Sequence, residues 1–192
     1  MRIIDYQNLV DPGLLEKVAK HHPLYSDIAS EINWLTVREK DQGSVRIEMD
    51  RSGNAILTIH PIIRPTQRDM YILYHEFGHL ADRINPRFRY DHDRRLQLTQ
   101  DQETCFLQLW NVYIDARLNE HGLFQLPSGG QAELIVDGQK YLLPRSKTST
   151  YLLEACARLS QRGIQRPGGL VTGIWNHPQR FLTFEDLLAP VL

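Results

Sequence analysis

Residues 66–86 constrain this chain more than any other stretch. Thr66-Gln67-Arg68-Asp69 has the form of a capping box, in which a hydroxyl and an acid three residues on satisfy each other's backbone N–H groups. Asn85-Pro86 supplies the stop, so a helix is expected between them. At about 100° per residue, Leu73, Phe77, Leu80 and Ile84 form one apolar stripe, while His75, His79 and Asp82 cluster on another side. The same segment contains His75-Glu76-Phe77-Gly78-His79. Residues four apart on a helix lie one above the other, so two imidazoles at this spacing can grip one metal ion. Glu76 then stands beside that ion, where a carboxylate can take a proton from water.

The flanking sequence predicts a mixed setting for this helix. Asp11-Pro12 resembles a helix start, and helical segments are expected over much of residues 12–32. Trp34 to Val37, Val45 to Met49 and Ala55 to His60 read as three short strands, with a hairpin at Asp50 to Asn54. The third run ends at Pro61 and Pro65, which suit the end or the edge of a sheet, and an edge could pair with substrate. A second long helix is expected from about Thr99 to His121, after an arginine-rich connection. Beyond it, Asp137-Gly138 signals a hairpin between Ala132 to Val136 and Gln139 to Leu143. A helix near Tyr151 to Gln161, a loop-rich stretch from Arg162 to Gln179 and a short helix after Thr183 complete the chain.

Composition narrows the class. Hydrophobic residues at 42% and charged residues at 23% suit an ordinary globular fold. A net charge of -1 and a pI near 6.7 provide no field to attract nucleic acid or an anionic membrane. Cys105 and Cys156 are too few for a disulfide framework and fit a reducing compartment, so a cytosolic location is expected. Residues 1–10 lack the continuous apolar stretch of a signal peptide.

Two histidines are half of a catalytic zinc site, which usually has three protein ligands. The second helix offers Glu103, Asp115, Glu120 and His121. Asn111, Asp115 and Asn119 recur every four residues as a polar ridge beside Leu107, Ile114 and Leu118. A carboxylate next to an apolar face is costly unless paired or on a metal, which favours Asp115. Glu103 is the rival, falling between Trp110 and Ile114 on the helical wheel, although an acid in a first helical turn is also explained by the helix dipole. Glu120 and a distant histidine complete the alternatives. Oxyanion donors could come from Tyr90, His92, Tyr113 or His121. Asp82 is expected to pair with an arginine or to orient a ligand, and Cys156 to be a small buried residue rather than an inhibitory thiolate. His21, His22, His60 and His177 have no partner spacing.

At His75, Glu76 and His79 the chain resembles the zincins, zinc metallopeptidases whose active-site helix carries two histidines and a glutamate. The resemblance covers residues 34–121 and implies strands before the active-site helix, an edge strand that aligns a peptide, and a following helix that supplies the third ligand. Asn111, Asp115, Arg117 and Asn119 are similar to a helix in poorly characterised bacterial metallopeptidases that accompany von Willebrand factor A-like domains. Leu107 stands where gluzincins place an aspartate four residues after the ligand glutamate, and Asn85 where metzincins place a third histidine. Both cysteines follow the motif, unlike the upstream cysteine ligand of peptide deformylases.

The expectation is therefore an α+β zincin-like fold, with a three-stranded sheet on an active-site helix and a ligand helix in a core of residues 1–121. A C-terminal extension over 122–192, a hairpin and helices, packs on the same domain. The expected activity is peptide-bond hydrolysis with zinc held by His75, His79 and Asp115, and Glu76 as general base. Protein or peptide is the expected substrate and a regulatory protein a candidate partner. The alternative is an adaptor that keeps a zincin core and binds a partner without cutting it.

Overall fold

A computed structural model describes residues 1–22, 24–40, 45–50, 52–123, 131–136, 139–144, 147–164 and 166–192. It is a mixed α and β protein that divides into two compact units, Met1–Pro86 and Arg87–Leu192. None of the described helices is long and apolar enough to cross a membrane.

The first unit runs β1 (Arg2–Ile4), α1 (Pro12–His21), α2 (Tyr25–Glu31), β2 (Trp34–Glu39), β3 (Arg46–Met49), β4 (Ala55–Ile59) and α3 (Gln67–Ile84). The sheet has four strands in the order β1-β2-β4-β3, not the three expected. The fourth, β1, is three residues long, too short to show a period of its own. It gains its place by parallel pairing with β2, where Arg2 faces Trp34 and its guanidinium lies 5.3 Å from the indole ring.

β2 and β4 are parallel, whereas β3 and β4 form the expected antiparallel hairpin. Asp50 shapes the turn: its carboxylate accepts from the N–H groups of Ser52 and Asn54, and Gly53 adopts φ +77°, open to glycine at little cost. One sequence expectation is corrected here. The third run, β4, is not an edge but lies between β2 and β3, because its prolines fall after Ile59 and leave the ladder intact. The true edges are β1 and β3.

Alternation along the strands buries Leu35, Val37, Ile47, Ala55, Leu57 and Ile59. Leu15 and Val18 of α1, Ile28 of α2, and Leu73, Phe77 and Leu80 of α3 complete this unit's core. Helix α3 starts as its sequence requires, with both halves of the Thr66 and Asp69 capping box formed.

The second unit contains α4 (His92–Leu96), α5 (Gln100–Glu120), β5 (Gln131–Val136), β6 (Gln139–Pro144), α6 (Lys147–Gln161), α7 (Pro167–Asn176) and α8 (Phe184–Leu188). Helices α5, α6 and α7 pack on one another. β5 and β6 pair antiparallel, while the expected turn at residues 137–138 lies outside the described residues. Helix α6 begins at Lys147, four residues before the expected start. Helix α7 corrects the loop expected across Arg162 to Gln179. Its three glycines weaken helix propensity, but Pro167 occupies a favourable first turn and Val171 and Ile174 are fully buried. Tertiary packing outweighs local preference there.

Phe77 and Thr66 should separate core from cap energetics in urea denaturation. Phe77→Ala is expected to cost about 3–5 kcal/mol, and Thr66→Ala about 1 kcal/mol. Equal losses would contradict the packing described for α3.

Candidate metal centre

Sequence spacing sets the two histidines on successive turns of α3, and folding then buries them. His75 is 5% exposed and His79 9%, so neither is the exposed surface histidine that a chance match to the motif would leave. Their ring centroids are 4.9 Å apart with planes at 75°, and Tyr71 extends the column one turn earlier, 5.6 Å from His75. Two imidazoles that each give a nitrogen to one zinc at about 2.0–2.1 Å sit at such a separation. The ring separation is therefore compatible with a shared metal ion.

Every residue from Leu73 to Asp82 is buried except Glu76, which is only partly so. Both the apolar stripe and the side carrying His75, His79 and Asp82 are thus buried over this run. Glu76 Oε2 accepts a hydrogen bond from the Ile47 N–H at 2.9 Å. Burial raises the carboxyl above the usual carboxylate range, against the lowering effects of His75, the Ile47 N–H and Arg83. A base shifted towards neutrality is better matched to proton transfer than an ordinary surface glutamate.

Arg83 completes the arrangement, donating from Nη1 to the Ile47 carbonyl at 2.8 Å. Both polar groups of one edge-strand residue are therefore held by α3. The sequence reading missed this arginine. Its signal was available, since Glu76 and Arg83 are seven residues apart and return to the same side of a helix. Asp82, one turn beyond His79, is fully buried.

The other candidates lie in the second unit. Asp115 is 3% exposed in the middle of α5, the most buried of the polar ridge, with Asn111 half-buried one turn before it and Asn119 exposed one turn after. Glu103 is committed elsewhere: its Oε1 accepts from Arg95 Nε at 3.0 Å and Nη2 at 2.8 Å. The third arm of Arg95 donates to the Tyr90 hydroxyl at 3.1 Å. Burial lowers the Arg95 pKa, but Tyr90 and Glu103 outweigh it and the guanidinium ends above its ordinary value. Glu120 and His121 are exposed at the end of α5.

Among the oxyanion candidates, Tyr90 stacks on Trp110 at 5.3 Å and Tyr113 on Phe88 at 5.9 Å, with the Arg117 guanidinium 4.2 Å from the Tyr113 ring. His92 is exposed in the first turn of α4. Cys156 is buried between Ala155 and Leu159 along α6, as expected of a small core residue. His22 is buried and accepts from the Leu24 N–H, whereas His21, His60 and His177 are exposed. Among the described residues, no group of three or more His, Cys, Asp or Glu side chains is gathered to hold a metal ion.

The engagement of Glu103 by Arg95 has a measurable consequence. Glu103→Gln should destabilise the protein by about 1–2 kcal/mol in urea denaturation, because a half-buried Arg95 loses its charged acceptor. Unchanged stability would contradict a structural role for this pair. No family model matches the chain, and neither a curated protein nor a solved structure matches it.

Proposed function

We propose that this chain is a zinc-dependent metallopeptidase with a small zincin-like core, and that it hydrolyses peptide bonds. The observation behind this reading is the buried imidazole pair, His75 and His79 with ring centroids 4.9 Å apart, next to Glu76, whose carboxyl pKa is raised by burial. His75 and His79 would hold the zinc. Asp115 is the third donor of choice, as the acid buried in the middle of α5 beside its apolar face. Zinc, when bound, supplies Lewis-acid polarisation of a carbonyl and a lowered water pKa.

The protein's own residues supply the proton transfers. Glu76 would accept the proton of the attacking water and deliver it to the leaving amine. The Ile47 N–H holds Oε2, leaving Oε1 as the oxygen that carries the proton. A substrate strand could not add to β3 in the register centred on Ile47 while Glu76 and Arg83 hold both of its backbone groups.

One observation favours the second reading, an adaptor that binds a partner without cutting it. Glu76 has a structural task on Ile47, so its presence in the chain no longer requires catalysis.

The test is metal content by mass spectrometry, followed by peptidase assays on a mixed peptide library. One zinc per chain is expected, lost in His75→Ala and Asp115→Ala and kept in Glu103→Ala. Glu76→Gln should keep zinc and lose roughly 10²- to 10⁴-fold in rate. Absence of zinc, with no uptake on titration, would sink the reading. Zinc without hydrolysis would favour the adaptor.

A further inference from the structure

Glu76 and Arg83 reach the same residue of the edge strand from the same helix. In an antiparallel pair, successive residues direct their N–H and C=O alternately towards the partner strand and away from it. Ile47 faces Leu57 in the ladder, yet its N–H goes to Glu76 and its C=O receives Arg83. Both groups therefore point outward from β4, at the free edge of the sheet, and α3 takes up both. β3 has only four residues, and Arg46, Glu48 and Met49 around Ile47 are exposed, so little besides this tie and the buried Ile47 side chain sets the strand's distance from α3.

We propose that Arg83 is a positioning residue for Glu76, acting through the Ile47 peptide. A glutamate on a helix has three free side-chain torsions, and general-base chemistry needs its carboxylate held to within a fraction of an ångström. The Ile47 N–H supplies that restraint only while β3 stays against α3. Arg83, two turns beyond Glu76, holds the carbonyl of the same residue at 2.8 Å and so keeps the N–H presented to Oε2 at 2.9 Å. The catalytic consequence rests on the metallopeptidase reading; the mechanical tie does not.

The tie is tested first, by amide hydrogen exchange at Ile47 in the metal-free full chain, followed by NMR. The wild-type amide should be protected, although it lies at a sheet edge. Glu76→Ala and Arg83→Ala should each speed its exchange by roughly tenfold or more, the double variant no more than the faster single one, and Arg83→Lys should recover part of the protection. Exchange at Leu57 in β4 should stay within about twofold, which separates loss of the tie from general loosening. In protein that hydrolyses peptides, Arg83→Ala should lower kcat by roughly 10- to 100-fold with KM and zinc content unchanged. In the Glu76→Gln background it should cause no further loss.

The proposal is overturned if Arg83→Ala leaves Ile47 exchange at the wild-type rate, or speeds exchange equally at Ile47 and Leu57. It is also overturned if Arg83→Ala lowers kcat as much in Glu76→Gln as in the wild type. Failure of the metallopeptidase reading would show differently, as absence of zinc or hydrolysis in the wild type with the exchange pattern intact.

Discussion

Helix α3 has to be buried on nearly every side and still carry a row of polar and charged groups, and the first unit is built around that conflict. The hydrophobic part is met by Leu73, Phe77, Leu80 and Ala81, all without measurable exposure. A fully buried side chain of this kind contributes on the order of 1.5–3 kcal/mol from transfer alone, enough to commit the helix to the sheet unit. The polar part cannot be met by burial. The two histidine rings meet edge to face and Tyr71 lies tilted against His75, while the two long charged side chains Glu76 and Arg83 reach a strand whose outer edge offers an N–H and a C=O. An unsatisfied sheet edge and two charged helical residues resolve each other's deficit.

This arrangement sets two demands on Glu76. A carboxylate used as a proton acceptor needs a raised pKa and a fixed orientation, and both come from the same surroundings. Burial raises the pKa, while the Ile47 N–H orients the group and limits the rise. The geometry also closes the middle of β3 to strand addition.

In the second unit the charges follow a different logic. Arg95 joins Glu103 and Tyr90 into one half-buried network beneath α4, and Tyr90 also stacks on Trp110 and meets Phe184 edge-on. This network ties the connection after α3 to the aromatic core around α5, with Phe88 stacked 5.8 Å from Trp110. Glu103 is thereby accounted for as a structural acid. Asp115 sits deeper in the same helix, 3% exposed.

Local sequence alone determined α3 and α5 and their caps, the β3 and β4 hairpin, and the imidazole pair with its intervening glutamate. These are set by interactions between residues a few positions apart: capping boxes at Thr66 and Thr99, the Asp50 and Gly53 turn, and the four-residue helical repeat. Tertiary structure decided the rest. β1 exists because β2 offers it a partner, β4 is central because two strands flank it, and α7 is helical despite its glycines because Val171 and Ile174 are buried. The Ile47 clamp and the Arg95 engagement of Glu103 belong to the same class, since both hydrogen bonds and charge pairing depend on which distant groups folding brings within about 3 Å. Periodicity could place a side chain on one side of a helix, but which backbone or charge it meets there depends on the packed fold.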